Sequence, residues 1–303
     1  MFKIGKVFHV IHMANRAQPL KDWYDDVFSP KWRGQGQVGY SAVEKRDALL
    51  GDISDFCIEP MAPSYRVEGA EAMPVGRFHG RFSSHLHSIA WYVTDDFPEL
   101  FETLRSHNVR LFTDGGGAVQ SPDKLTAALL THPRDTATQW ELMPVQRAGG
   151  PPAAMPNQPT AFWRDEHPLG ILPSAWHLTV AVRDLDRAKR LYTQLLGGHL
   201  IHEEENDANK TRSAFVAIGE GSLVELATPT SPDSLVARDL EKNGESLHAI
   251  TFRVKDIGAA ANFVKSKNVR IVPRGKDTFF TLTDDAFGAV MYFSERAIPN
   301  DPR

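Results

Sequence analysis

Two ten-residue stretches decide how this chain is organised: LHSIAWYVTD at residues 86–95 and LHAITFRVKD at residues 247–256. Leucine, histidine, isoleucine, valine and aspartate coincide position for position. Each stretch has the apolar and aromatic content of a β-strand, with a histidine near its start. The similarity continues into SHNVRLFTDG at 106–115 and SKNVRIVPRG at 266–275. The chain therefore contains an internal repeat, and each copy is predicted to run strand, helix, strand, with helices near 96–106 and 256–266.

A second kind of repeat start is clearest in HLTVAVRDLDRAKRLYTQLLGG at residues 177–198. Its first residues alternate as a strand does. Asp184 can cap a helix whose apolar positions form one stripe, and Gly197 and Gly198 can end that helix. This stretch predicts the strand and helix that open a further module.

The counterpart near the N-terminus is the more divergent HVIHMANRAQPLKDWYDDVF at residues 9–28, in which Pro19 is expected to delay the helix. The spacing from the first histidine to the tyrosine is the same in both stretches. That spacing selects His9, and not His12, as the counterpart of His177. Four strand–helix–strands modules are thus predicted, beginning near residues 7, 85, 175 and 246.

Length and composition describe an ordinary globular protein. The chain has 303 residues, 42% of them hydrophobic and 24% charged, with a net charge of −4. No basic block supports a nucleic-acid partner, and no apolar run is long enough to cross a membrane. Cys57 is the single cysteine, which fits a reducing cytoplasm. A proline-rich segment at 144–173 is predicted to link an N-terminal domain, 1–143, to a C-terminal domain, 174–303.

Three modules place a glutamate on the strand predicted to be their last: Glu59, Glu141 and Glu225. The fourth module has Tyr292 at the comparable position. A carboxylate among apolar strand residues needs a partner, because burying it alone costs several kcal/mol. One reading is an exposed strand face. The repeated pairing with a histidine favours another, a metal site, since imidazole and carboxylate bind Zn²⁺, Fe²⁺, Mn²⁺, Co²⁺ and Ni²⁺.

These modules resemble the vicinal oxygen chelate superfamily, which includes glyoxalase I, methylmalonyl-CoA epimerase, extradiol dioxygenases and bleomycin-resistance proteins. The resemblance implies an α+β fold of four βαβββ modules, paired into two half-open β-barrel domains around a divalent metal. It also implies ligands on the first and last strands of each module. Those positions are His9, Glu59, His87 and Glu141 in the N-terminal half, with His177, Glu225, His248 and Tyr292 as the weaker set in the C-terminal half.

Two ways of pairing the modules remain open. Consecutive pairing, which the position of the linker favours, completes a site from His9, Glu59, His87 and Glu141. Pairing of module two with module three would instead join His87 and Glu141 to the ligands of module three, His177 and Glu225.

Three functions follow from the resemblance. The leading hypothesis is a metal-dependent isomerase or lyase that acts on a small oxygen-chelating substrate through an enediolate or enolate, with Glu141 or Glu59 as the base. The second is an Fe(II) extradiol-type dioxygenase, since His9, His87 and Glu141 would satisfy a two-histidine, one-carboxylate triad. The third is a metal-free binding or resistance protein. A monomer and a homodimer are both compatible with four modules in one chain.

Overall fold

The computed structural model describes residues 1–125, 127–145 and 160–303. It consists of two mixed sheets flanked by helices, which confirms the predicted α+β class. The first sheet contains β1 (Lys3–Met13), β2 (Lys31–Trp32), β3 (Gly39–Ser41), β4 (Arg46–Ala48), β5 (Gly51–Ile53), β6 (Phe56–Pro63), β7 (His85–Asp95), β8 (Leu111–Phe112), β9 (Leu129–Thr131) and β10 (Gln139–Pro144).

The second sheet and the helices complete the fold. Its strands are β11 (Ile171–Ala181), β12 (His199–Asn206), β13 (Thr211–Ile218), β14 (Ser222–Pro229), β15 (Ser246–Val254), β16 (Ile271–Arg274), β17 (Thr278–Thr281) and β18 (Val290–Ser294). The α-helices are α1 (Ala17–Phe28), α2 (Pro74–Phe82), α3 (Phe97–Ser106), α4 (Pro133–Thr136), α5 (Leu185–Arg190), α6 (Leu235–Lys242) and α7 (Ile257–Ser266).

Aspartate caps begin the repeated helices where the sequence predicts them. The side chains of Asp96 and Asp256 accept hydrogen bonds from backbone N–H groups in the first turns of α3 and α7. Asp184 caps α5 in the same way, and the helix continues as a π-helical turn over Leu191–Leu195. The expectation that Pro19 delays the first helix is wrong. Pro19 lies in the first turn of α1, where backbone N–H groups have no intrahelical partner to lose.

Consecutive modules pair. In the first sheet β1 lies antiparallel to β7, and in the second β11 lies antiparallel to β15. The last strand of each module runs parallel to its first strand. Within the described residues, no strand of module two joins a strand of module three, so the alternative pairing is wrong. Each half thus forms one curved sheet, called barrel 1 and barrel 2 below.

A β-bulge recurs at the centre of both barrels. Val10 pairs with Ile89 and His12 pairs with Leu86. The two residues between the pairs on β7, His87 and Ser88, therefore lie opposite the single residue Ile11 of β1. The same register shift on β15 sets His248 and Ala249 opposite Thr179. A bulge of this kind can direct two successive side chains toward one face. Both histidines therefore reach the concave face of their barrel.

The two halves share one hydrophobic core. Phe28 packs on Phe252 with ring centroids 5.4 Å apart, and Phe56 packs on Trp176 at 5.0 Å. The backbones of the two halves are also in contact at Gly288 and Ser84. A Cβ atom on Gly288, whose φ is +80°, would lie 1.8 Å from the carbonyl oxygen of Ser84. The relative position of the barrels is therefore fixed by buried side chains and by backbone contact.

The predicted linker is partly structured. Trp163 is buried, and its indole N–H donates to the carbonyl of Phe28 at 2.7 Å. Strand β11 begins inside the predicted linker, at Ile171, while residues 146–159 lie outside the described residues. The domain boundaries themselves stay a prediction. No helix of the described chain has the length and apolar content needed to cross a membrane.

Candidate metal and active site

His9 lies at the centre of barrel 1, between two glutamates. Its Nε2 is 3.1 Å from Oε2 of Glu59 and 3.2 Å from Oε2 of Glu141. The strand register explains the convergence, because His9 and Glu141 both pair with Ala90 and Glu59 pairs with Ile11. The three side chains are 7%, 8% and 13% exposed. Three of the four predicted N-terminal ligands therefore meet in a nearly dry interior.

The charges in this cluster are strongly coupled. Burial lowers the pKa of His9, but Glu59 and Glu141 outweigh burial and hold that pKa above its ordinary value. Burial raises the pKa of Glu141, yet the close contact with His9 and the charge of that ring bring it down to about 2. Neither ring nitrogen of His9 has a hydrogen-bond partner of good geometry in the described residues. The two carboxylates thus favour the positively charged form of the His9 imidazole.

Each glutamate is held by a second residue that the sequence did not single out. Oε1 of Glu59 accepts a hydrogen bond of 2.9 Å from Arg46, whose Nε also donates to Glu44 at 2.6 Å. Oε1 of Glu141 accepts from the hydroxyl of Ser88 at 2.9 Å. In both glutamates the other oxygen, Oε2, is the one directed at His9. The outer oxygens are thereby fixed, and the inner ones converge.

His87 lies beside this cluster and not inside it. Its ring packs edge-on against Phe78 of α2, with centroids 4.3 Å apart. Burial lowers its pKa to about 4, against the attraction of Glu141, and its Nδ1 has no hydrogen-bond partner in the described chain. The neighbouring bulge residue, Ser88, is the one that contacts Glu141. The assignment of His87 as a metal ligand stays a prediction.

The cluster carries an excess of negative charge. Burial, followed by the charges of Glu141 and Glu44, raises the pKa of Asp114 to about 7. Burial likewise raises the pKa of Glu44, although Arg46 opposes the shift. Four carboxyl groups therefore surround one guanidinium and one imidazole. A site of this composition attracts a cation.

The donor set fits a divalent metal in its chemistry. Donor atoms that bind one metal at 2.0–2.2 Å and at right angles lie about 3.0 Å apart, close to the two distances at His9. Within residues 1–125, 127–145 and 160–303, however, no group of three or more histidine, cysteine, aspartate or glutamate side chains is already arranged to hold a metal ion. Arg46, hydrogen-bonded to Glu59, supplies positive charge there instead. A metal would bind through His9, Glu59 and Glu141, in competition with the His9 proton.

Barrel 2 has the equivalent positions and a different arrangement. Nε2 of His177 is 3.6 Å from Glu225, and both residues line a cavity of about 150 Å³. Glu225 accepts two hydrogen bonds of 2.6 Å, from the hydroxyls of Thr179 and Ser213, and together with His177 these hold its pKa at about 2 in spite of burial. Tyr292 pairs with Thr251, as Glu141 pairs with Ala90, so a phenol replaces the second carboxylate.

His248 is oriented by a carboxylate from a helix. Its Nδ1 donates to Asp239 of α6 at 2.6 Å, and its Nε2 is buried without a hydrogen-bond partner in the described residues. The other oxygen of Asp239 accepts from Nε2 of His85, in barrel 1, at 3.2 Å. Carboxylates that fix the tautomer of a histidine in this way are typical neighbours of metal-binding histidines. Asp239 therefore orients a candidate ligand of barrel 2 and connects the two halves.

The residues that sequence reasoning missed share one property. Arg46, Ser88 and Asp239 each contact a predicted site residue from another strand or from a helix. Of these, only Ser88 could have been found from the sequence, because it follows His87 directly and the bulge directs both side chains to the same face. His12, which the spacing excluded, indeed lies elsewhere: it is buried between the Tyr24 hydroxyl and the Phe287 carbonyl, at 2.9 Å from each.

Comparison with known proteins agrees with this architecture. Residues 175–301 match the family model described as the Glyoxalase/Bleomycin resistance protein/Dioxygenase superfamily. The mitochondrial methylmalonyl-CoA epimerase of Mus musculus is 27% identical over 141 residues, covering 44% of this chain and 79% of that protein. The crystal structure of methylmalonyl-CoA epimerase from Mycobacterium tuberculosis is 33% identical, with a TM-score of 0.38, covering 40% of this chain and 87% of that one.

A similarity over the full length concerns the fold alone. A mutant of 4-hydroxymandelate synthase from Streptomyces coelicolor aligns with 98% of this chain and 95% of its own, at a TM-score of 0.64 and 12% identity. Its match extends over both barrels, whereas the epimerases correspond to about one. On the strength of the family model and the identity to epimerases, this chain belongs to the Glyoxalase/Bleomycin resistance protein/Dioxygenase superfamily, as a member with two barrels.

Proposed function

We propose that barrel 1 contains the active site of a metal-dependent isomerase or lyase, which moves a proton next to a carbonyl group of a small substrate. One observation carries the proposal. Two glutamates from two different modules approach the same histidine nitrogen, at 3.1 and 3.2 Å, in a buried position. Paired carboxylates around an electropositive centre are suited to remove and return a proton on carbon.

His9, Glu59 and Glu141 would hold the metal. When bound, it would supply positive charge to two substrate oxygens and stabilise the negative charge that develops on an enolate or enediolate. Water is largely excluded from the three side chains, which strengthens every charge interaction there.

Glu141 is suited to be the proton acceptor. Ser88 donates to Oε1, so Oε2, the oxygen that contacts His9, is the one directed at the centre of the barrel. The same His9 contact that holds its pKa at about 2 makes it a weak base in the resting site. Displacement of Glu141 from its cationic neighbours by substrate would raise that pKa and increase its basicity. Glu59, pinned by Arg46, is placed to act as the second acid or base.

Epimerisation is the reaction class that the relatives favour. The curated relatives include methylmalonyl-CoA epimerases, which supports a substrate with an acidic C–H bond between or beside carbonyl groups. The ring-cleaving dioxygenase is the weaker candidate, because its triad needs His87, and that residue packs against Phe78. A metal-free binding protein is the third candidate.

The test measures exchange of substrate hydrogen with solvent. Protein purified without an affinity tag is analysed for metals and then incubated in D₂O with methylmalonyl-CoA, while incorporation of deuterium is followed by NMR. Oxygen consumption with catechol is recorded in parallel. We expect one divalent ion per chain in barrel 1, catalysed exchange and no oxygen uptake.

A matched pair of variants assigns the site. Glu59→Gln should lower the exchange rate about 100-fold or more and release the metal, since it removes one ligand and one charge. Glu225→Gln, at the equivalent position of barrel 2, should leave both unchanged. The proposal is overturned if Glu225→Gln has the larger effect, if catechol drives oxygen uptake, or if metal-loaded protein exchanges no substrate hydrogen.

A further inference from the structure

A groove between the two halves lies beside the strand that carries Glu141. It has a volume of about 660 Å³ and is lined from barrel 1 by Phe78, Arg81, His87, Arg134 and Gln139, and from the other half by Arg183 and its neighbours. We call it the arginine groove. It is formed by α2, the turn before β10, and the residues between β11 and α5, so neither half contains it alone.

The lining of the groove carries net positive charge, since it contains four arginines and two carboxylates, Asp184 and Glu245. Arg81, Arg134 and Arg183 are exposed, and no carboxylate of the described residues forms an ion pair with any of them. Arg81 lies over the ring of Phe82, 4.8 Å from its centroid, and Arg183 donates to the carbonyl of Leu240 at 2.6 Å. These contacts hold the side chains and leave their charge unpaired. The whole chain has a net charge of −4, so this concentration of guanidinium groups is local.

The fourth arginine of the groove has a different role. Arg187 forms an ion pair with Glu245 at 3.0 Å and donates to the carbonyls of Arg134 and Asp135, each at 3.2 Å. It therefore fixes the turn that presents Arg134. The remaining three guanidinium groups are available to a ligand.

Two residues that line the groove, Gln139 and His87, are close neighbours of Ser88 and Glu141. Gln139 precedes Glu141 by two residues on β10, so both side chains point to the same face of the sheet. Gln139 also pairs with Ser88, whose hydroxyl contacts Glu141. A molecule bound in the groove would therefore lie next to the end of β10 that carries Glu141.

We infer that the arginine groove binds an anionic group of the substrate, a phosphate or a carboxylate, on the part of the molecule remote from the reacting carbonyl. The inference rests on the proposed function for the location of the reacting end. Guanidinium groups bind both anions through paired, charge-assisted hydrogen bonds. Phe78 and Phe82 supply an apolar wall for the segment between the two ends.

Binding of small anions tests the groove without turnover. Titration calorimetry at low ionic strength is carried out with pyrophosphate in one arm and tricarballylate in the other. We expect saturable binding in at least one arm, and the stronger arm identifies phosphate or carboxylate chemistry. Arg81→Gln and Arg134→Gln should each weaken that binding about tenfold or more, because each removes one charged donor. Arg190→Gln, on α5 but outside the groove, is the control and should bind as wild type does.

The outcomes are separable from those of the proposed function. Glu59→Gln should keep full affinity for the anion, since the groove does not contain that residue. Metal-loaded wild-type protein that binds the anion but exchanges no substrate hydrogen, or Glu59→Gln protein that keeps full exchange activity, would therefore contradict only the proposed function. The inference is overturned if wild-type protein binds neither anion, or if the control weakens binding as much as Arg81→Gln and Arg134→Gln.

Discussion

Barrel 1 and barrel 2 share the central pairing of their modules, the central bulge and a histidine at the same point of their first strands, yet their centres differ. In barrel 1 the inner oxygens of two glutamates converge on His9. In barrel 2 one glutamate lies 3.6 Å from His177, and Tyr292 fills the remaining position. One residue on the last strand thus separates a site with converging carboxylates from a small cavity.

The glutamates themselves differ through their partners. Glu59 bonds to the charged Arg46, whereas Glu225 bonds to two neutral hydroxyls. The guanidinium of Arg46 balances part of the negative charge of Glu59, whereas hydroxyl donors stabilise the Glu225 carboxylate without balancing its charge. Equivalent residues of the same type therefore do not have equivalent chemistry.

The histidines at the two bulges, His87 and His248, also differ in their partners. Phe78 on α2 and Asp239 on α6 occupy corresponding positions of the stretches VGRF and VARD. His87 consequently packs on an aromatic ring, while His248 donates to a carboxylate. His87, whose module has Glu141 on its last strand, is therefore less firmly oriented than His248, whose module has Tyr292 at that position. A helix residue outside both sheets decides the difference.

The largest effect is expected at the last-strand position that differs between the two barrels, Glu141 in barrel 1 and Tyr292 in barrel 2. Glu141→Gln should lower the rate of deuterium exchange by a factor of about 10² to 10⁴, because it removes the proposed base. Tyr292→Phe, at the equivalent position of barrel 2, should leave that rate unchanged. Steady-state exchange into methylmalonyl-CoA measures both variants. A comparable loss in the two variants would mean that both barrels contribute to one reaction.

A smaller effect is expected at the carboxylate that joins the halves. Asp239→Asn should lower the free energy of unfolding by about 3 kcal/mol, because it removes one partner of a buried charged network with His85 and His248. Phe78→Leu, at the corresponding position of barrel 1, should cost about 1 kcal/mol. Urea denaturation compares the two. Equal losses would show that Asp239 acts as an ordinary packing residue.

The smallest effect concerns pH. Burial lowers the pKa of His12 to about 4, so the folded protein takes up this proton only well below the ordinary value of 6.5. The unfolded chain binds the proton first, and stability that is complete above pH 6.5 is lost as the pH falls toward 4. In barrel 2 the equivalent residue is Val180, which cannot titrate.

His12→Gln tests this directly by denaturation at pH 7.5 and pH 4.5. The variant should be less stable at pH 7.5, and roughly 2 kcal/mol of its deficit should disappear at pH 4.5, since glutamine binds no proton. An equal deficit at both pH values would show that His12 does not titrate between the folded and unfolded states.

Much of the fold follows from local pattern. The repeat of LHSIAWYVTD in LHAITFRVKD, the Asp184 cap and the apolar stripes predicted α3, α5 and α7 to within about a residue or two, and the starts of the four modules to within about four residues. Strand alternation also placed Glu59 and Glu141 on the last strands of their modules. The prediction for Pro19 was wrong because the sequence did not show where α1 begins. Without that start, it could not be known that Pro19 lies in the first turn of the helix.

The site was only half determined in this way. Residue type and spacing selected His9, Glu59 and Glu141, because the first and last strands of paired modules must lie side by side. Arg46, Ser88 and Asp239 could not be found so, since each acts across a sheet or from a helix.

The sequence by itself determined the four modules and three side chains of barrel 1, because these depend on periodicities within one segment, and it favoured consecutive pairing without deciding it. The tertiary structure decided which carboxylates meet a charged partner, how each bulge histidine is oriented, and that the arginine groove exists at all. Those properties depend on contacts between segments remote in the chain, which no local pattern encodes.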